Sequence, residues 1–212
     1  MNFPKKVMLG SVLLLGATSV LADTADLRVI GTIAPGACTP VFAGGATVDY
    51  GVIPLSSLSQ TAATTLAPHE IGYTITCNAP ISISTNWSDS RAGTVSTPNV
   101  NLFGLGTHNG VNIGNYRTVQ IVAGATADGN PVSLIQRANP TAAWTAGGNT
   151  INVASNGLVE VSYAPVGTVV PGAYSEYAGM LRVTATIDPV QNLDTSTEVT
   201  LDGLSTMTVN YL

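Results

Sequence analysis

Charge is scarce in this chain. Asp, Glu, Lys and Arg together make up 9% of the 212 residues, against roughly a quarter in ordinary soluble domains. Lysine is scarcer still. Lys5 and Lys6 are the only two, and beyond them the formal cations are Arg28, Arg91, Arg117, Arg137 and Arg182. Five arginines against twelve carboxylates leave the chain after its first segment with a net charge of −7. So few cations exclude a nucleic-acid binder that works through phosphate contacts, and they give no attraction to an anionic membrane surface. With no lysine past Lys6, Lys–Asn isopeptide cross-links are excluded as well. Surface positions must be filled by Thr, Ser, Asn, Ala and Gly. That composition suits secreted β-proteins and assembled coats, and it is poor for a monomer kept dispersed by charge repulsion.

Aromatic residues are also few, at 6%, which argues against the aromatic girdles of an outer-membrane barrel. His69 and His108 are the only histidines, and neither has a Cys, Ser or Asp at a recognisable catalytic spacing. Both are expected as solvated loop histidines, since a catalytic or metal site needs a convergent cluster. Gly-x-Ser-x-Gly, P-loop and His-Glu-x-x-His patterns are all missing. The expectation is a protein with no catalytic residues, no metal ligands and no cofactor, and therefore not an enzyme. Trp87 and Trp144 are expected to pack in or at the rim of a core rather than to bind sugar.

What is present begins with a leader. Lys5 and Lys6 form a positive start, Val7 to Leu15 an apolar run, and Val20 and Ala22 suit signal-peptidase cleavage. The exported chain is expected to begin at Asp23. The apolar run is too short and wrongly flanked to span a bilayer, so no direct membrane insertion is expected. Cys38 and Cys77 are the only cysteines. In an exported chain an even count suggests a disulfide, whose loop-closure contribution is about 4 kcal/mol. Two free thiols or a metal pair are the weaker alternatives.

Past the leader, short alternating runs separated by turn residues give an all-β sandwich or barrel pattern. Thr47–Ile53 is expected as strand, with Val48, Tyr50 and Val52 on one side. Glu70–Cys77 alternates with Ile71, Tyr73, Ile75 and Cys77 on one face, and Asn78-Ala79-Pro80 then turns into Ile81–Trp87 as a hairpin. Asp89–Asn115 is expected as loop, with a short strand near Asn101 to Leu105. Further strands are expected at Tyr116–Ala123, Val132–Arg137, Leu158–Tyr163 and Gly179–Ile187, with a loop at Asn139–Asn149. In Leu158–Tyr163 the set Val159, Val161 and Tyr163 opposes Glu160 and Ser162. The last run, Leu204–Leu212, puts Met207, Val209 and Tyr211 on one face. A strand ending the chain has no following segment to cover it, which leaves an edge in want of a partner.

The stretch that organises the whole is Leu27-Arg28-Val29-Ile30-Gly31-Thr32-Ile33-Ala34-Pro35, followed by Gly36-Ala37-Cys38. Leu27, Val29, Gly31, Ile33 and Pro35 share one face of an extended strand. Gly31 interrupts that face where a core strand would carry a β-branched residue, which points to a close-approaching backbone or a shallow pocket. By periodicity alone this is the first strand of a complete sandwich.

Four features together resemble the pilus subunits of the bacterial chaperone–usher pathway. They are the alternating stretch with its interior Gly31, the Ala37-Cys38-Thr39 step after it, Cys77 at the end of Tyr73-Thr74-Ile75-Thr76-Cys77, and the C-terminal alternating strand with penultimate Tyr211. The family often carries a glycine farther from its C-terminus than Gly203, the nearest here, so the resemblance is to a divergent branch. It implies an incomplete immunoglobulin-like β-sandwich over residues 37–212, preceded by a signal peptide over 1–22 and a donor-strand extension over 23–36.

By that resemblance Leu27, Val29, Gly31, Ile33 and Pro35 enter a neighbour's groove, Met207, Val209 and Tyr211 line the acceptor edge, and the Leu212 carboxylate anchors basic residues of a periplasmic chaperone. An outer-membrane usher and neighbouring subunits are the other partners implied, with the chain exported through the periplasm to a surface fimbria that mediates adhesion. The alternative function is a tip adhesin or glycan-binding exported β-sandwich protein.

Overall fold

The computed structural model describes residues 27–30 and 36–212. The chain divides into two units, Met1–Ala34 and Pro35–Leu212. In the first, the described residues Leu27 to Ile30 form no regular element, and Leu27, Val29 and Ile30 are exposed. The leader, and Gly31, Ile33 and Pro35 of the alternating stretch, lie outside the described residues.

The second unit is all-β. In chain order its strands are β1 (Cys38–Phe42), β2 (Thr64–Thr65), β3 (His69–Asp89), β4 (Phe103–Gly104), β5 (Thr107–His108), β6 (Val111–Asn112), β7 (Gly114–Ala127), β8 (Asn130–Pro131), β9 (Ser133–Arg137), β10 (Thr145–Ala146), β11 (Thr150–Asn152), β12 (Glu160–Ala164), β13 (Ala173–Ile187) and β14 (Ser205–Tyr211). Short 3-10 turns accompany them, and there is no α-helix among the described residues.

One sheet runs β1–β3–β13–β7–β11, with β2 added to β13 and with β4 and β8 added to β7. The other runs β14–β3–β12–β9–β10. All of these pairs are antiparallel, and β3 serves both sheets, so the whole curls into a sandwich. One core fills it. Tyr73, Ile75, Tyr177 and Leu181 come from the first sheet and meet Ile83, Trp87, Leu134, Val161 and Tyr163 from the second. Full burial of each such side chain contributes roughly 1.5–3 kcal/mol. Inside the core the Tyr73 and Tyr163 hydroxyls lie 2.6 Å apart, and the Gln120 side-chain amide donates to Tyr73. Burial pushes both tyrosines well above their ordinary pKa, so both stay neutral donors and acceptors in this network.

The expected hairpin at Asn78-Ala79-Pro80 is not formed. β3 continues past it over 21 residues, with a bulge in place of a turn: from Thr76 to Ile81 it advances five residues while the facing β13 advances two, from Glu176 to Tyr174. Asn78 N–H donates to Ala37 O, and Leu212 N–H donates to Ser82 O. Asn78 and Ser82 are thus bonded on the same edge of β3, on either side of Pro80. Pro80 lies in this bulge, where among the described residues no β1, β14 or β13 residue pairs with it, so its missing N–H costs no ladder bond.

Thr47–Ile53 is not a strand either. Val48 and Tyr50 are partly buried, as an alternating strand requires, but Val52 is 95% exposed and nothing pairs the backbone. The Tyr50 hydroxyl fixes the segment instead, donating to Val183 O at 3.2 Å and accepting from Ala185 N–H at 3.0 Å.

The expected long loop after Asp89 supplies core. Phe103, Leu105 and Ile113 are buried, and Phe103 stacks on Tyr116 at 5.1 Å. β12 is buried on both faces. Its Glu160, 4% exposed, accepts from Arg137 Nε at 2.7 Å and from Ser84 Oγ at 3.0 Å. Trp144 lies under the Arg137 guanidinium at 4.5 Å.

Candidate functional site

The site is an edge. β14 is seven residues long, and β3 is its only strand partner among the described residues. Leu212 N–H donates to Ser82 O at 3.0 Å, and Ser90 N–H donates to Leu204 O at 2.9 Å. Both bonds share the register that sets Tyr211 opposite Ile83. Backbone groups on an antiparallel strand point alternately toward and away from the partner. Leu204, Thr206, Thr208, Asn210 and Leu212 therefore bond to β3. Ser205, Met207, Val209 and Tyr211 turn their N–H and C=O to the open side.

The side chains of that same odd-numbered set face the core. The β3 neighbours of Tyr211, Val209 and Met207 are sealed, with Ile83 at 0%, Thr85 at 1% and Trp87 at 6% exposure. On β14 itself Met207 and Val209 are only partly buried, and Tyr211 is 51% exposed. The core is thus finished on β3 and unfinished one strand farther out. Trp87 forms part of the floor. Its ring lies 5.9 Å from Phe42 of β1, and its Cα is opposite Met207. The start of β14 is tied down by Tyr116, which burial pushes up to about 12 and which shares a hydrogen bond with Ser205.

β1 lies end to end with β14 along the same side of β3. Asn78 N–H donates to Ala37 O in the register of Cys38 opposite Cys77. By the same alternation Cys38, Pro40 and Phe42 point their backbone outward. Cys38 N–H donates to the Tyr211 hydroxyl at 3.0 Å, and Pro40 has no N–H to offer. The Cys38–Cys77 disulfide expected from the sequence is formed and pins this strand to β3.

Of the residues singled out from the sequence, Cys38, Cys77, Met207, Val209, Tyr211 and Leu212 come together along this side of β3. Leu27 and Val29 are exposed in the first unit, and Gly31, Ile33 and Pro35 fall outside the described residues. Sequence reasoning missed Phe42, Thr85 and Trp87 as floor, because their role depends on which strand lies beside β3.

His69 is not a solvated loop residue. It opens β3 and packs edge-on against Tyr50, with ring centres 4.6 Å apart. His108 sits before the tight β5–β6 turn with its Nε2 3.2 Å from Thr197 Oγ1. Among the described residues no group of three or more His, Cys, Asp and Glu is placed to hold a metal ion. No helix among them is long and apolar enough to cross a membrane.

Known proteins resemble the chain over different spans. The family described as "Protein of unknown function (DUF1120)" matches residues 27–100, a span that takes in the alternating stretch, β1, the disulfide and all of β3. Protein GltF of Escherichia coli (strain K12) is 30% identical, covering 95% of this chain and 94% of its own. Uncharacterized protein YhcF of the same organism is 25% identical over the full length of both. With 30% identity held across nearly the whole of each chain, the protein belongs to the GltF family.

Proposed function

We propose that the protein is a structural subunit of a surface fibre, completed and polymerised by extended strands added to β14. One observation carries this reading. A seven-residue edge strand turns every second backbone group outward above core side chains that are only half covered. Strand addition needs both features, since main-chain bonds give affinity and alternate side chains give specificity.

The donor is the alternating stretch of a neighbouring subunit, with Leu27, Val29, Gly31, Ile33 and Pro35 on its inward face. Its nine residues are long enough to run beside the seven of β14. Burying three or four apolar side chains there would contribute roughly 1.5–3 kcal/mol each before ordering costs. Before assembly the open edge needs a temporary strand, which a periplasmic chaperone would lend and an outer-membrane usher would see replaced. The disulfide fits an oxidising compartment and an exported chain. The scarcity of surface charge fits a molecule that ends in an assembly rather than dispersed.

Deleting Leu27 to Ile33 tests the proposal. The expected result, read by electron microscopy of the cell surface and by size-exclusion chromatography of periplasmic extract, is a folded subunit bound to a helper protein and no fibres. Fibres of normal length from the deletion would overturn it.

A further inference from the structure

Two groups of exposed apolar side chains lie at opposite ends of the sandwich. The ends are set by β3, whose two halves fold back on each other at the bulge: Phe42, opposite Tyr73 on the first half, packs 5.9 Å from Trp87 on the second. The bulge therefore marks one end, and His69 and Asp89 mark the other. At the bulge end, residues 165–172 join β12 to β13 beside Ser82, which is opposite Ala173 on one edge and accepts from Leu212 N–H on the other. In this loop Val166 and Val170 are 69% and 67% exposed, and Val169 is exposed with them. The loop is held in shape. Thr168 N–H and Oγ1 both donate to Pro165 O, Gly167 N–H donates to Ser133 Oγ, and Gly172 N–H donates to Tyr163 O. At the other end Val100, Leu158 and Leu204 are each about half exposed. One row of backbone bonds links them: Ser90 N–H to Leu204 O, Asp89 N–H to Ser155 O, and Ser155 N–H to Val100 O, with Leu158 three residues past Ser155. Leu204 directly precedes β14. A single exposed valine is ordinary, but exposed apolar side chains grouped on a fixed surface mark a contact.

We infer that these surfaces are the two halves of one contact between consecutive copies of this chain. The loop 165–172 of the copy that gives its strand seats on Val100, Leu158 and Leu204 of the copy that receives it. The inference rests on the proposed strand addition to β14 and adds a second contact to it. The tether sets the geometry. Only Gly36 and Ala37 separate Pro35, the last donor residue, from Cys38, so β1 of the giving copy starts within about 10 Å of the end of the filled edge. Every strand paired with β3 runs antiparallel to it. A donor antiparallel to β14 in the same manner ends beside Ser205, next to Leu204. The opposite direction would end at Tyr211, where the receiving copy's own β1 begins, with Cys38 N–H on the Tyr211 hydroxyl and Ala37 leading away. The giving copy thus arrives with its Cys38 end foremost. That end carries residues 165–172, across β3 from β1 and about two strand spacings, or about 10 Å, away. Two different surfaces at opposite ends make a heterologous contact, which repeats without closing and so extends a fibre. Because the loop is already tied down, little ordering is lost when it docks.

The test uses fibres sheared from cells that express the full chain and counted by electron microscopy. Val170→Cys is combined in turn with Val100→Cys, Leu158→Cys or Leu204→Cys, and the fibres are oxidised, denatured and run on a gel without reductant. The paired positions lie at opposite ends of one copy, so a bond between them joins two copies. At least one pair is expected to give a ladder of covalent multimers, while Val170→Cys with Val41→Cys on β1 gives none. In a second arm, which decides alone if the cysteine variants do not assemble, Val166→Thr with Val170→Thr keeps the side-chain volume on an exposed loop. It should leave urea unfolding of the subunit unchanged and speed disassembly of fibres in denaturant about tenfold, as two valines lose their apolar cover. Fibres that give no ladder from any of the three pairs, or that disassemble at the wild-type rate in the Thr variant, overturn this contact and leave strand addition standing. Absence of fibres from the wild-type chain overturns strand addition and this contact with it.

Discussion

β1 and β14 occupy one edge of the same strand and present opposite faces to the world. β1 is exposed along most of its length, yet its outward backbone offers little: Cys38 N–H is taken by the Tyr211 hydroxyl, and Pro40 has no N–H. β14 has no proline, and its four outward residues keep both donor and acceptor free among the described residues. The remaining outer strands are short, with β10 two residues long and β11 three. Sheet edges invite pairing with other chains, and natural proteins blunt them by shortening, proline or cover. Among the described residues, β14 is the one long outer strand without such blunting, and it lies over unfinished core. An open edge by itself is a liability. Next to neighbouring edges that are closed it marks a site.

The contrast can be broken from the β1 side first. Replacing Cys38 and Cys77 together by Ser removes the covalent pin on β1, and by loop-closure entropy stability should fall by about 4 kcal/mol in urea unfolding. A loss under about 1 kcal/mol would mean that the ladder alone holds β1.

Proline substitutions on β14 sharpen the alternation. Thr208 points its N–H at β3, so Thr208→Pro should cost about 1–3 kcal/mol by orphaning its acceptor. Tyr211→Phe releases Cys38 N–H from its cap and should cost about 1 kcal/mol, with faster hydrogen exchange confined to Cys38. The smallest stability change belongs to Val209→Pro. It removes only an outward N–H and should cost less than about 1 kcal/mol, while copying onto β14 the device that closes β1 and abolishing strand addition. Equal losses for Thr208→Pro and Val209→Pro would contradict the assigned alternation.

Much of this arrangement could be read from alternation. In Gly179–Ile187, whose alternation points Leu181, Val183, Ala185 and Ile187 inward, all but the partly buried Val183 are sealed in the core, and Met207, Val209 and Tyr211 share the core-facing side of β14. The places that could not be read share one physical cause, which is that local signals do not specify a strand's neighbours. Asn78-Ala79-Pro80 carries the marks of a turn, but its proline falls at a gap between two partners, so the strand continues. Val48, Tyr50 and Val52 alternate like a strand, but no chain lies beside them to complete a ladder. Phe103 and Ile113 sit in a Gly/Asn-rich stretch with no periodicity, and only tertiary packing buries them. Glu160 looks solvent-facing, yet Arg137, brought from β9, makes its burial tolerable. The floor of the candidate site was hidden for the same reason. Trp87 gains its role from Phe42, 45 positions earlier, and from Met207, 120 positions later.

The central claim is that β14 is an edge held open for an added strand, and amide hydrogen exchange with residue resolution tests it most directly. In the isolated subunit the N–H groups of Thr206, Thr208 and Asn210 should be protected, and those of Met207, Val209 and Tyr211 should exchange quickly. On adding a Leu27–Pro35 peptide, the second set should become protected while Cys38 stays as it was. Uniform protection along β14 before any peptide is added, or no gain at Met207, Val209 and Tyr211 at saturating peptide, would contradict it.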